Sequence, residues 1–119
     1  MIFKSANHEK IEAIIRTSKF EQVHSALTRL GLPFMYSMEV KGFGKEAGLA
    51  HTYRGAQYDV GFIPRTKLEV VVTEDQLEDV VECILLEAST GEIGDGKIFI
   101  SEVERAIRIR SREEGAAAL

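Results

Sequence analysis

One stretch of 25 residues decides the fold: KLEVVVTEDQLEDVVECILLEASTG, which runs from Lys67 to Gly91. Its β-branched residues favour a strand over Lys67–Val72. Thr73 and Gln76 have the spacing of a capping box, in which the two side chains satisfy the first backbone N–H groups of a helix. The helix predicted after Thr73 is closed by Gly91, and one apolar face comprises Leu77, Val80, Val81, Ile84, Leu85 and Ala88. The stretch therefore predicts a strand followed by an amphipathic helix.

A second strand-and-helix unit precedes this stretch. Alternation predicts a strand over Lys10–Arg16, with Ile11, Ala13 and Ile15 on one face. Ser18 and Glu21 repeat the capping-box spacing, and Gly31 and Pro33 end the predicted helix. Its apolar residues at helical spacing are Phe20, Val23, Leu27 and Leu30.

Three further segments complete the pattern. Met35–Val40 predicts a strand, and alternation resumes over Lys97–Val103 and Ala106–Ile109. The element order is therefore β-α-β, a long loop, and β-α-β. This order predicts a single α+β domain over residues 1–119, a ferredoxin-like βαββαβ sandwich with the long loop between strands 2 and 3.

The long loop is predicted from Gly42–Gln57, which contains four glycines, mixed charge and no sustained period. Such a loop in a small domain is commonly functional. The hexapeptide YRGAQY, Tyr53–Tyr58, contains two aromatic residues and an arginine, the residue types that dominate binding hot spots. We infer a partner-binding surface, and disorder in the free protein is the alternative.

A glycine-rich stretch, TGEIGDGKIF, follows the second helix from Thr90 to Phe99. Its glycines leave backbone N–H groups uncovered, and the ammonium of Lys97 can neutralise a phosphate. It is not a Walker P-loop, because isoleucine stands where that motif needs serine or threonine. A nucleotide site of another design is one interpretation. The other is structural: Gly91 ends the helix, and Gly94 to Gly96 form a hairpin-like turn.

Composition limits the function classes. The chain of 119 residues is 45% apolar, which is enough for one domain with a real core. Its net charge of −4 gives no electrostatic reason to expect nucleic-acid binding. The single cysteine, Cys83, cannot form an internal disulfide, and no apolar segment has the length of a signal or a membrane span. A cytoplasmic protein is expected.

The sequence contains no catalytic or metal-binding constellation. The histidines, His8, His24 and His51, lack ligand spacing and are expected at the surface. Cys83 lies beside the apolar stripe and is expected to be a packed thiol. No nucleophile and base are paired, so the chain is expected not to be an enzyme.

Three ordered motifs resemble the PII signal-transduction proteins of nitrogen regulation: KGFG from Lys41, YRGAQY from Tyr53 and TGEIGDGKIF from Thr90. The similarity runs without a gap from about Lys10 to Ala116. The resemblance implies a regulatory homotrimer that binds ATP or ADP in the clefts between subunits. It also implies that a mobile loop, at about residues 44–62, docks on target proteins.

The resemblance further implies which residues contact the nucleotide. The phosphates would meet one subunit's Gly94, Asp95, Gly96 and Lys97, together with a neighbour's Arg108 and Arg110. The base would lie against Ile14, Val71, the main chain of Glu69 and Val70, and the wall that holds Tyr36. A second group, Gly42, Phe43, Gly44 and Lys45, would close over the ligand. On their own, Arg108 and Arg110 would be interpreted as a solvated strand face.

The chain departs from the family pattern at the base of the loop. Glu46 stands where the family usually has a glutamine that helps to hold Mg²⁺ between ATP and 2-oxoglutarate. A carboxylate there could bind the metal but would repel the dianionic effector. Arg65 replaces a lysine that usually pairs with the distal carboxylate of 2-oxoglutarate, and the two side chains differ in reach. Nucleotide binding is therefore a firmer expectation than 2-oxoglutarate binding.

Other departures lie near the base-binding wall and at the N-terminus. Phe34 and Tyr36 replace smaller residues, and such bulk can either stack on a purine or obstruct it. Thr17 and Ser18 stand where the family usually has Pro-Phe. Residues 1–9 are expected to form a flexible arm.

The loop carries candidates for target contact and for modification. Tyr58 matches a tyrosine that some family members carry as a uridylylation site, and the alternative is a target-contact residue. Arg54 matches an arginine that plugs the pore of ammonium channels in members that control them, and the alternative is a solvated charge. The expected partner is an ammonium channel or an enzyme of nitrogen metabolism, without nucleic-acid binding or membrane insertion. The alternative function is slow ATP hydrolysis on the same fold.

Overall fold

We analysed a computed structural model of the chain, which describes residues 8–32, 34–44, 51–53, 56–58 and 62–119, with the backbone alone at 51–53 and 56–58. Residues 1–7 of the expected arm lie outside this range. His8 and Glu9, which the sequence assigned to the arm, belong to the first strand instead.

Four antiparallel strands form the main sheet: β1 (His8–Ile15), β2 (Tyr36–Gly42), β5 (Ile63–Thr73) and β6 (Gly96–Val103). Their order across the sheet is β2-β5-β1-β6. Two short strands, β3 (His51–Tyr53) and β4 (Ala56–Tyr58), pair separately within the stretch that the sequence predicts to be structureless. The order of the main sheet is the one that the βαββαβ arrangement requires.

Two helices cover one face of this sheet: α1 (Phe20–Arg29) and α2 (Glu74–Ala88). At α2 the predicted capping box is confirmed, because the Gln76 Oε1 atom accepts the backbone N–H of Thr73 at 3.1 Å. At α1 the predicted cap is wrong. Ser18 lies within a 3₁₀ turn, Thr17–Lys19, so α1 begins after Lys19 and has no side-chain cap. A cap needs extended backbone before the first turn, and the 3₁₀ turn occupies that position.

The core lies between the sheet and the helices. It includes the alternate residues of β1 from Ile11 to Ile15, as predicted, and the matching positions of β5. The buried side chains include Ile11, Ala13, Ile15, Val23, Leu27, Leu68, Val70, Val72, Val80, Ile84 and Ala88. Leu30 and Leu85, predicted on the apolar faces, are 47% and 50% exposed. Helical spacing placed them at the margins of these faces, where the sheet does not cover them.

The chain after β6 differs from the prediction. Ala106–Ile109 is not a strand, because only one isolated bridge forms, between Ile107 and Glu114. The Arg108 N–H donates to the Glu113 carbonyl at 2.9 Å, so the segment folds back on itself. An alternating sequence favours a strand, but it does not reveal whether a neighbouring strand is present to pair with it.

His8 is buried rather than at the surface. Its side chain is 4% exposed, and neither ring nitrogen has a hydrogen-bond partner among the described residues. The C-terminal 3₁₀ segment, Gly115–Ala118, lies against it: a Cβ atom built on Gly115 would be 3.8 Å from the His8 Nε2 atom. His24, by contrast, is exposed, as expected.

Candidate functional site

The glycine-rich turn connects α2 to β6. Gly91, Gly94 and Gly96 all have positive φ angles, of 84°, 97° and 107°. At Gly96 a Cβ atom would also lie 1.7 Å from the Ile14 carbonyl oxygen, so no other residue fits there without moving β1. Because α2 ends at Ala88 and Ser89 is extended, Gly91 belongs to the turn and does not cap the helix.

The Asp95 carboxylate organises this turn from inside. It accepts the backbone N–H groups of Thr90 at 2.8 Å and Gly91 at 3.0 Å, and also the Thr90 hydroxyl. Arg16 donates from Nε to the same carboxylate at 3.0 Å. The hydrogen bonds from Thr90, with those from Arg16 and Gly91, hold the pKa of the Asp95 carboxyl well below its usual range. Asp95 is therefore ionised at neutral pH, and its charge is turned toward the protein's own donors.

Two arginines, Arg16 just after β1 and Arg65 in β5, hold the outer carbonyls of the turn. The Arg16 Nη2 atom donates to the Ile93 carbonyl at 2.9 Å. The Arg65 Nη2 atom donates to the Gly94 carbonyl at 2.9 Å, and its Nη1 atom donates to the Pro64 carbonyl at 2.8 Å. The turn is thus fixed from both sides by side chains that the core strands position.

A cleft of about 610 Å³ opens beside the turn. It brings together many of the predicted site residues: Ile14, Gly42, Phe43, Gly44, Arg65, Gly94, Asp95, Gly96 and Lys97. Lys97 is exposed, and it makes no ion pair with the part of the chain that the structure describes. The cleft therefore combines a preformed glycine turn with an available ammonium group.

The other predicted nucleotide residues lie in a different place. Tyr36, Val70, Val71, Arg108 and Arg110 line a second cleft, of about 820 Å³. Its apolar wall also includes Phe34, whose ring stacks with that of Tyr36 at a centroid distance of 6.3 Å. Within one chain, then, the predicted partners of the phosphates divide into two groups.

Three of the predicted nucleotide-binding residues have side chains that are paired or buried within the chain itself. Arg108 donates to the Leu119 carbonyl at 3.3 Å and lies 3.7 Å from the Glu113 carboxylate. Glu69 pairs with Lys67 at 3.3 Å and lines neither cleft. Val70 is 2% exposed, so only its main chain could meet a ligand.

The remaining predictions cannot be placed in the site. Lys45, Glu46 and Arg54 lie outside the described residues, and of Tyr58 only the backbone, in β4, is described. The predicted metal position at Glu46 is therefore also outside them. Among the described residues, no cluster of histidine, cysteine and carboxylate side chains could hold a metal ion.

Sequence reasoning misses Arg16 and Thr90, both of which bind the Asp95 carboxylate inside the turn. Arg16 ends the first predicted strand, but its partner Asp95 is 79 residues away along the chain. Thr90 and Asp95 are five residues apart at the two ends of the glycine turn. That spacing of a hydroxyl and a carboxylate is the signal that could have identified the pair.

Cys83, which lies outside both clefts, agrees with the sequence analysis. Burial raises the pKa of the Cys83 thiol, with a further contribution from Glu87, so this cysteine is a packed thiol. No helix among the described residues is long and apolar enough to cross a membrane.

Comparison with known proteins gives one consistent result. The family model described as nitrogen regulatory protein P-II matches residues 8–113. The P-II protein of Pasteurella multocida is 48% identical over 111 residues, which cover 93% of this chain and 99% of the relative. GlnK of Escherichia coli is 46% identical over 109 residues, covering 92% and 97%.

A solved structure agrees with the sequence comparisons. The crystal structure of Arabidopsis thaliana PII bound to citrate matches with a TM-score of 0.79 at 38% identity. The match covers 96% of this chain and 94% of the other. The fold is thus that of a small α+β domain of the kind found in PII proteins. The chain belongs to the nitrogen regulatory protein P-II family.

Proposed function

We propose that the chain is a nucleotide sensor that binds ATP or ADP in a cleft completed by a second copy of itself. The supporting observation is the division of the predicted ligands between two clefts. Lys97 and the glycine turn line one, and Arg108 and Arg110 line the other. Apposing the first cleft of one copy with the second cleft of its neighbour would place three cations around one polyphosphate.

The glycine turn supports the phosphate side of this proposal. Three positive-φ glycines expose the main chain, and convergent backbone N–H groups make an anion-binding concavity. The exposed Lys97 follows the turn directly and supplies the charge. The Arabidopsis relative is described as bound to citrate, a small polyanion, which supports anion binding by this fold.

The apolar wall of the second cleft supports the base side. Tyr36 and Phe34 present exposed, stacked rings beside Val71. An aromatic face stacks on a nucleobase without needing a particular hydrogen-bond pattern. We infer that these bulky residues contact the base by stacking.

The assembly that closes such clefts is a homotrimer, and its output is the control of a target protein through the long loop. The target class is an ammonium channel or an enzyme of nitrogen metabolism, contacted through Arg54 and Tyr58. The relatives are named as regulatory proteins, which supports a regulator rather than an enzyme. A cytoplasmic location follows from this role.

Calorimetry with ATP and ADP, run beside a steady-state assay of phosphate release, tests the proposal. We expect saturable, mutually competitive binding of both nucleotides without significant phosphate release. Release at a steady rate would instead support the slow ATP-hydrolysing alternative. Absence of binding at millimolar nucleotide would contradict the proposal.

We further predict that 2-oxoglutarate binds weakly or not at all, with or without Mg²⁺ and ATP. Glu46 adds a negative charge where the metal and the two carboxylates of the effector would meet. Replacing it in the Glu46→Gln variant should strengthen 2-oxoglutarate binding in the presence of Mg·ATP. Tight binding to the wild-type protein that Glu46→Gln leaves unchanged would contradict this assignment.

A further inference from the structure

Arg65 is a residue of β5 whose side chain contacts the glycine turn at the Gly94 carbonyl. It lies in β5 immediately before Thr66, which pairs with Ile15 at the end of β1. Arg16 directly follows Ile15, so the two arginines lie side by side at the ends of neighbouring central strands. Groups on paired strands are held more precisely than groups on loops.

The two arginines fix consecutive peptide groups of the turn. Arg16 binds the Ile93 carbonyl, and Arg65 binds the next carbonyl, that of Gly94, each at 2.9 Å. In a trans peptide the C=O and N–H bonds point in opposite directions. The two hydrogen bonds therefore also set the directions of the N–H groups of Gly94 and Asp95, away from the guanidinium groups.

This constraint matters because the turn is intrinsically loose. A glycine loses more conformational freedom on ordering than any other residue, and an anion site needs its N–H groups to converge before the ligand arrives. Asp95 fixes the start of the turn through Thr90 and Gly91. Arg65 is the side chain from β5 that fixes the Gly94 peptide.

The Arg65 guanidinium is thus engaged with the main chain on two sides, at Gly94 and Pro64. It lines the same cleft as Lys97, so a change in its position would alter the shape of the proposed anion site. A planar fork suits this double contact, whereas the single ammonium of lysine cannot reproduce both hydrogen bonds in the same geometry.

We infer that Arg65 is a positioning residue: it holds the Gly94–Asp95 peptide in the anion-binding orientation rather than serving as the partner of a separate carboxylate effector. The inference rests on the proposed function in that the anion is a nucleotide phosphate. Its structural half, the ordering of the turn, does not depend on any ligand.

The test compares Arg65→Met and Arg65→Lys with the wild-type protein. Arg29→Met is the control, because it removes the same charge from α1, outside both clefts. Two quantities are measured: amide hydrogen exchange of residues 91–96 without ligand, and calorimetric affinity for ATP and for inorganic tripolyphosphate. Thermal unfolding checks that each variant is folded.

We expect Arg65→Met to speed exchange at the turn and to weaken ATP and tripolyphosphate binding together, by roughly tenfold. Arg65→Lys, which keeps the charge, should also exchange faster and bind less tightly than wild type. Arg29→Met should match wild type in both measurements.

Weaker anion binding by Arg65→Met with unchanged exchange would overturn the inference, because it would show a direct effect of charge. Unchanged exchange and unchanged affinity would overturn it as well. If wild type binds neither ATP nor tripolyphosphate, the proposed function fails, and the exchange measurement alone still decides whether Arg65 orders the turn.

Discussion

At the residue scale, charged side chains around one turn serve different purposes. Asp95 and Arg16 are paired with each other at 3.0 Å and with the turn itself. Lys97, two residues after Asp95 at the start of β6, is exposed and has no ion-pair partner in the described structure. The glycine-rich motif therefore contains one carboxylate that orders the turn and one ammonium that is available to a ligand. Substitutions at Asp95 should affect stability, whereas substitution of Lys97 should affect ligand binding.

Lys97→Ala should weaken ATP binding roughly ten- to a hundredfold, because a hydrogen bond to a charged group contributes about 1.5–3 kcal/mol. We expect the chain to stay folded and the proposed oligomer to remain intact, since removing an ammonium that makes no ion pair with the described residues costs the fold little. Calorimetry measures the affinity, and Arg29→Ala on α1 is the matched loss of charge. An unchanged dissociation constant would mean that Lys97 faces solvent and that the turn is only structural.

Asp95→Asn should lower stability in a way that depends on pH. The pKa of Asp95 is lower in the folded protein than in the unfolded chain, whose aspartates titrate near pH ~3.9. Its contribution is therefore present above about pH 4 and is lost as the pH falls toward the folded-state pKa.

Urea unfolding at pH 7 and pH 3 provides the measurement. The difference in midpoint between wild type and Asp95→Asn should be largest at pH 7 and smaller at pH 3. Asp79→Asn, at an exposed position of α2 without a hydrogen bond or ion pair among the described residues, should show little difference at either pH. A difference in midpoint between wild type and Asp95→Asn that is larger at pH 3 than at pH 7 would contradict the lowered pKa of Asp95.

At the element scale, two helices whose sequences share the capping-box spacing begin differently. Thr73 has extended backbone, with φ −76° and ψ 161°, and forms a capping box with Gln76. Ser18 has the same spacing to Glu21 but lies inside a 3₁₀ turn. The geometry by which the chain enters the helix decides whether a hydroxyl can cap it.

Thr73→Ala should therefore destabilise the protein by about 1 kcal/mol, the usual cost of losing an N-cap. Ser18→Ala is the matched control and should be close to neutral. Urea midpoints at a single protein concentration compare the two variants with wild type. Equal losses for both variants would show that the difference between the two helix starts has no energetic consequence.

Much of the fold is predictable from the sequence, for identifiable reasons. β1, β5 and α2 carry patterns that match their burial, because each packs one face on the common core. Ala106–Ile109 also alternates, but in the described part of the chain it forms only one isolated bridge and pairs with no strand. A local pattern describes what a segment can form, and a neighbour decides whether it does.

The candidate site is predictable in its residue types but not in its internal contacts. The glycines predict a turn, which the structure shows, and the adjacent Lys97 suggests anion binding, which stays a prediction. The arginines that hold the turn, Arg16 and Arg65, lie 77 and 29 residues along the chain from the carbonyls that they bind. Only the pairing register of β1 with β5 brings them to the same end of the sheet.

At the scale of the whole molecule, one chain presents two separate clefts, which the proposed function treats as the two halves of one shared site. The first cleft has the turn and Lys97, and the second has Arg108, Arg110 and the stacked rings of Phe34 and Tyr36. In a closed ring of identical subunits, each first cleft can meet the second cleft of the next copy. The proposed homotrimer would contain three such sites.

Mixed oligomers of Lys97→Ala and Arg110→Ala test this central claim most directly. Each variant alone should bind ATP weakly, because every shared cleft lacks one cation. In trimers co-expressed at equal levels and sized by sedimentation, about a quarter of the clefts should combine an intact Lys97 with an intact Arg110. Calorimetry should then detect a fraction of sites with wild-type affinity for ATP. Mixed trimers without any wild-type sites, or a chain that sediments as a monomer with ATP present, would contradict the account.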